Sequence, residues 1–123
     1  MRHRVTDASD GTQAQERLEH VLFDLAFLDL KLGKESGLDV LPALLKLAPG
    51  LPVIVITAYA TIETAVEAMR RGAFDFLPKP FTPDELRRVL ERVVRIRRLF
   101  GHSFLDGLLQ TILNVDVIVV GNR

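Results

Sequence analysis

Polar and apolar positions along this chain fall into two kinds of short segment, and the two kinds alternate. One kind is a run of roughly four to eight mostly apolar residues bounded by turn formers, the pattern of a buried strand. "FDLAFLD" (23–29), "LPVIVITA" (51–58), "AFDFL" (73–77) and "VDVIVVGN" (115–122) belong to it, and "RVTDASDG" (4–11) is a weaker strand ending in turn chemistry. The other kind repeats apolar residues at helical spacing. "TQAQERLEHVL" (12–22) sets Ala14, Leu18, Val21 and Leu22 on one face. "GLDVLPALLKLAP" (37–49) predicts a helix with Pro42 tolerated in its first turn. "TIETAVEAMRRG" (61–72) predicts one that Gly72 closes. "TPDELRRVLERVVRIRRLF" (82–100) opens with Thr82 at the N-cap, Pro83 at the first helical position, and Asp84 and Glu85 in the first turn. "FLDGLLQTIL" (104–113) reads as a further short helix.

Strands that are apolar on both faces and alternate with helices predict a parallel sheet covered on both sides. In such sheets functional groups gather at the carboxyl ends of the strands. Asp29, Thr57 and Lys79 each fall at or just past a strand end, so three strands deliver a carboxylate, a hydroxyl and an amine to one edge. Length and composition narrow the class. A chain of 123 residues is expected to form one domain, and its formal net charge of zero gives no support for bulk binding to nucleic acid or anionic membranes. Without cysteine there is no disulfide, thiolate metal site or cysteine nucleophile. No apolar run is long enough for a membrane span, and the N-terminal "MRHRVTDASDG" lacks the apolar stretch of a secretory signal, so a cytoplasmic soluble domain is the expectation.

A carboxylate can act as a nucleophile toward a phosphoryl group. The product concentrates negative charge, which a lysine and a divalent cation commonly offset. Asp29 as acceptor, Thr57 as hydrogen-bond donor and Lys79 as counter-ion form a coherent set. The plain alternative is that an aspartate ending a strand is a turn or cap residue.

The blocks "FDLAFLDLKLGKESGLDVL", "PVIVITAYATIETAVEAMRRGAFDFLPKPF" and "TPDELRRVLERV" resemble the receiver domain of two-component response regulators, with the nearest likeness to receivers of the NtrC type. The likeness covers about residues 4–99. It implies a flavodoxin-like three-layer α/β/α sandwich with a mostly parallel five-stranded sheet, and a signalling module, not an enzyme, that takes a phosphoryl group from a histidine kinase. By position, Asp29 resembles the phosphoacceptor, Thr57 and Phe76 the switch pair, and Lys79 the phosphate-pairing lysine. Asp29 and the backbone carbonyl of Lys31 resemble metal ligands, and the Lys79–Pro80 bond is expected to be cis. Gly37 matches the glycine of the loop after the acceptor, and Gly33 stands where many receivers have proline.

The front of the chain departs from that pattern. The family's first strand, its pair of adjacent acidic residues that hold Mg²⁺, and its first helix are missing. Asp7 and Asp10 do not match the acidic positions and read as turn residues. A sheet without its middle strand would leave unpaired backbone groups. Residues 116–120 are therefore expected to fill the slot, from this chain or a partner, within a single domain of residues 1–123 whose atypical part is 103–123. "VIVVGN" then sets Gly121 and Asn122 at the acidic positions, Asn122 near Asp29 only if the strand is parallel. Mg²⁺ binding is accordingly expected to be weak or absent. The competing readings are a rearranged or engineered receiver scaffold that binds partners without phosphorylation, and a haloacid-dehalogenase-like phosphatase. The phosphatase needs an acid two residues after the nucleophile, where this chain has Lys31. Expected contacts are a histidine kinase and a homodimer through helix 61–72, helix 82–100 or exchange of strand 116–120. The arginines of 82–100 interleave with Asp84, Glu85 and Glu91 and complement a helix C-terminus rather than marking a nucleic-acid patch.

Overall fold

The computed structural model describes residues 2–100 and 114–121, with side chains described from 5 to 95 and from 116 to 121. In chain order the elements are β1 (Arg2–Ala8), α1 (Gly11–His20), β2 (Leu25–Leu28), β3 (Lys31–Leu32), β4 (Glu35–Ser36), α2 (Gly37–Leu47), β5 (Val53–Thr57), α3 (Ile62–Arg70), β6 (Asp75–Pro78), α4 (Pro83–Phe100) and β7 (Asn114–Val120). The helix expected over 104–113 lies outside the described residues.

Five strands form one sheet in the order β1-β7-β2-β5-β6, and every pairing in it is parallel. The last strand of the chain thus occupies the central slot, from Asn114 opposite Arg2 to Val120 opposite Ala8 on one side and Leu28 on the other. Alternation along the strands separates two cores. Ala8, Ile118, Val120, Ala26, Leu28, Val53 and Val55 pack against Ala14 and Leu18 of α1, Val40, Leu41 and Leu44 of α2 and Ala68 of α3. On the opposite face Leu25, Ile54 and Leu77 meet Val89 and Val93 of α4. Three helices therefore cover one face and α4 the other. Arg92 of α4 pairs with Asp75 of β6, tying that helix to the sheet.

Helix ends follow sequence chemistry. Asp10 caps α1 by accepting from Gln13 N at 2.8 Å, Thr61 and Thr64 close a capping box on α3, and Thr82 Oγ1 accepts from Glu85 N at 3.1 Å. Gly72, at φ +105°, ends the α3 turn.

Three local expectations need correction. Asp7 lies within β1, not in a turn, because parallel pairing with β7 runs past it to Ala8. Val21 and Leu22 do not share the buried face of Ala14 and Leu18. Helix α1 ends at His20, the chain turns extended, and Leu22 is 92% exposed. Pro42 sits inside α2 rather than in its first turn. Its missing N–H leaves the carbonyl of Leu38 without the usual partner four residues on, and Arg71 Nη1 donates to that carbonyl at 2.8 Å. Arg71 also donates to Glu67 and Asp39, and its pKa is raised by the hydrogen bond to Glu67 first and the one to Asp39 second. The loop after the acceptor is a small antiparallel hairpin, β3–β4. Gly33 at its tip has φ +61°, a conformation closed to proline.

Candidate functional site

The carboxyl ends of β2, β5, β6 and β7 meet at one edge. Asp29 directly follows β2, and its backbone N–H donates to Val120 O of β7 at 2.9 Å. Its Oδ1 accepts from the backbone N–H of Lys31 at 3.1 Å, an Asx-type turn that aims the carboxylate along the sheet edge. Its Oδ2 lies 3.4 Å from Lys79 Nζ. The Asp29 side chain is 18% exposed and that of Lys79 43%, so the pair is reachable from solvent yet partly shielded. Lys79 is placed by its own N–H, which donates to Thr57 O at 2.9 Å, and the Lys79–Pro80 bond that follows is cis.

Thr57 ends β5 fully buried, and its Oγ1 accepts from Tyr59 N at 3.1 Å. A hydroxyl that accepts still has a proton to donate. Phe76 on β6 is half-buried and packs against the three-helix core. A cleft of about 250 Å³ opens beside the acceptor, walled by Phe27, Ile56, Phe81, Leu86 and Val119 with Asp29 and Lys79 at its rim.

Two glycines make this geometry. A Cβ on Gly37 would fall 2.3 Å from Asp29 O, so only glycine lets α2 start against the acceptor loop, where Gly37 N donates to Leu30 O at 2.8 Å. Gly121 ends β7 at φ +147°, and a Cβ there would lie 2.7 Å from Asp29 Cβ.

The structure brings Asp29, Thr57 and Lys79 to one edge as expected, and sets β7 parallel so that its end meets Asp29. Asn122 lies outside the described residues. Sequence reasoning missed Tyr59. Its hydroxyl lies 3.2 Å from Lys31 Nζ, and that ammonium lies 4.6 Å from the ring centroid, so the two side chains bridge the loops on either side of the acceptor. It also missed Glu35, whose carboxylate accepts from Gly11 N at 2.6 Å and ties the hairpin to the start of α1. Neither signal is local in sequence.

The described residues offer few acidic donors to a divalent cation. Among the described residues no three of His, Cys, Asp and Glu cluster. Asp29 pairs with Lys79, and Gly121 beside it has no room for another side chain. Mg²⁺ keeps several waters and is commonly held by one or two carboxylates together with phosphate oxygens.

Residues 1–91 match the family model described as the response regulator receiver domain. The chain is 43% identical over 97 residues to the alginate biosynthesis transcriptional regulatory protein AlgB of Pseudomonas aeruginosa, covering 79% of this chain and 22% of that protein. Against the crystal structure of the receiver domain of NtrX from Brucella abortus the TM-score is 0.65 at 42% identity, over 70% of this chain and 73% of the other. A Burkholderia pseudomallei response regulator structure, with a phosphorylated aspartic acid, calcium ion and citrate, matches at TM-score 0.65 and 21% identity over 84% and 75% of the two chains, a likeness of fold. This chain spans about a fifth of the length of AlgB. Parallel sheet, strand order, edge constellation and matches converge: the chain belongs to the receiver-domain family of two-component response regulators, of the type found in NtrC-like regulators.

Proposed function

We propose that Asp29 is the residue of this receiver that accepts a phosphoryl group, with a histidine kinase as donor partner. The observation that supports this most is Lys79 Nζ at 3.4 Å from Asp29 Oδ2, on a sheet edge that also carries Thr57. An Asp29 oxygen attacks phosphorus, the bond from phosphorus to the donor nitrogen or oxygen breaks, and the donor keeps the electron pair. Lys79 stays beside the carboxylate and offsets the added charge. Thr57 then turns its hydroxyl proton toward a phosphoryl oxygen and gives up the bond from Tyr59 N, and half-buried Phe76 follows into the vacated space. The conformational change is the output.

Receiver domains of transcriptional regulators are generally not enzymes. We read this chain in the same way, as the substrate of a kinase. The phosphatase reading lacks its acid, since Lys31 stands there. Divalent-cation binding is weak or absent on this reading; a bound cation would supply charge neutralisation through Asp29 and the Lys31 carbonyl, with Asn122 as the remaining candidate. Self-association uses α3, which exposes Ile62, Val66 and Met69 on one stripe, or α4, or exchange of β7 between chains. No nucleic-acid role follows for α4, where Arg87 pairs with Asp84 and Arg92 with Asp75. No described helix is long and apolar enough to cross a membrane, and a cytoplasmic setting fits a kinase partner.

Gly121, closed to a side chain at the strand end beside Asp29, favours a second reading, a binding scaffold that works without phosphorylation. Acetyl phosphate labelling followed by intact mass separates the two. A gain of one phosphoryl group that disappears in Asp29→Asn supports the first reading. An unlabelled chain that keeps its partner binding in Asp29→Asn supports the second.

A further inference from the structure

Three features flank the acceptor without entering the scheme above. Lys31 Nζ is parked on the Tyr59 hydroxyl at 3.2 Å. The root of the same side chain sits beside the acceptor, because the Lys31 backbone N–H donates to Asp29 Oδ1 at 3.1 Å. The strand end where a metal-holding acid would stand is Gly121, closed to any side chain by its φ of +147° and by Asp29 Cβ.

Charge bookkeeping at the edge makes these features one device. Before reaction the carboxylate carries one negative charge and Lys79 one positive. The acyl phosphate carries about two negative charges near neutral pH, so Lys79 alone leaves the product short of one cation. Metal-holding carboxylates would bring negative charge of their own, which a divalent cation must first cancel. Among the described residues no three of His, Cys, Asp and Glu cluster at this edge, and the strand end beside Asp29 is Gly121, so one further ammonium is enough. Lys31 is that ammonium. It is tethered at the acceptor and held at a distance by one hydrogen bond and a ring contact, both with exposed Tyr59. A lysine presents a compact charge on a flexible stem, suited to moving between two oxygen partners.

We infer that Asp29, Lys79 and Lys31 form a tetrahedral-oxyanion site that works without a divalent cation, with Tyr59 as the resting place of the second lysine. The ligand class is phosphate, free or as the acyl phosphate on Asp29. When the anion is present, Lys31 leaves the Tyr59 hydroxyl and donates to an oxyanion. The inference rests on Asp29 being the acceptor, and the test keeps the two apart.

The 123-residue chain and its Lys31→Met, Lys31→Arg and Tyr59→Phe variants are labelled with acetyl phosphate in EDTA and in Mg²⁺. Lys31→Met keeps the backbone N–H and loses only the ammonium. The expected result is labelling of the parent chain in EDTA at nearly its rate in Mg²⁺, a loss of about tenfold or more in Lys31→Met, as for a charge-assisted bond, and partial rescue in Lys31→Arg. Tyr59→Phe, which removes the hydroxyl bond and keeps the ring contact, labels at least as fast as the parent. In parallel, inorganic phosphate is titrated into Asp29→Asn in EDTA, followed by amide shifts of Lys31, Tyr59 and Lys79. Saturable shifts that vanish with Lys31→Met support the oxyanion site even if Asp29 is never labelled, in which case only the acceptor reading falls. Labelling that requires Mg²⁺ and ignores Lys31 overturns this inference and leaves Asp29 as acceptor. Absence of both labelling and phosphate shifts overturns the two together.

Discussion

Replacing Ile118 by alanine tests whether the last strand carries the core. Ile118 is fully buried at the centre of the sheet, between Thr6 of β1 and Ala26 of β2, and packs in the cluster shared with three helices. The change removes three carbons, about 2.4 kcal/mol of transfer free energy at ~0.8 kcal/mol each. The neighbours are strands fixed on both sides, so the cavity closes only in part, and a total of about 3–4 kcal/mol is expected within the usual range for such truncations. Ile118→Val should cost only ~1 kcal/mol. Val5 is on the outer strand and 59% exposed, so Val5→Ala should change stability by less than about 0.5 kcal/mol. Urea unfolding followed by circular dichroism reads all three. With a slope near ~1.5 kcal/mol/M, a loss of 3 kcal/mol lowers the midpoint by about 2 M. If Ile118→Ala fell no further than Val5→Ala, with the slope unchanged, β7 would not be part of the cooperative core and the described sheet order would be refuted.

Three further outcomes follow from particular contacts. Gly121→Asp is expected to destabilise the chain by ~1–3 kcal/mol, through its backbone conformation and the close Asp29 Cβ, and not to create Mg²⁺ affinity; a urea midpoint and a calorimetric Mg²⁺ titration check both, and tighter Mg²⁺ binding without loss of stability would contradict it. Arg71→Met should be less damaging in a Pro42→Ala background than in the parent, because alanine restores an N–H to the Leu38 carbonyl that Arg71 now serves; additive effects in a double-mutant cycle would argue against that compensation. Asp75→Asn should weaken the hold of α4 on β6 by about 1 kcal/mol, since Arg92 is half exposed; faster amide exchange confined to α4 is the expected signature, and exchange spread evenly over the sheet would count against it.

Much of this fold was legible because its signals are local. Runs such as "VIVIT" can be buried on both faces only in a covered sheet, and Thr61, Thr82 and Gly72 mark helix ends by their own chemistry. The same locality placed Asp29, Thr57 and Lys79 at strand ends, and parallel strands send their carboxyl ends to one edge. An orphan apolar strand at 116–120 beside a missing middle strand implied the central slot, since unpaired backbone is costly wherever it is buried. The direction of that strand was not legible. It depends on how the chain returns from α4, which no residue pattern encodes. Helix α1 stopping at His20 was hidden too, because apolar Val21 and Leu22 continue the helical spacing while the chain turns away. Pro42 looked like a first-turn residue until the Leu38 carbonyl was seen to find Arg71, 33 positions away. The Lys31–Tyr59 bridge joins residues 28 apart. The closure of Gly121 to any side chain depends on Asp29, which lies far from it in sequence and next to it in the sheet. Sequence determined the elements and the edge where the chemistry collects; tertiary structure decided which distant groups share a carbonyl, a cation or the space of one β-carbon, because those are set by the packing of strands and not by their spacing along the chain.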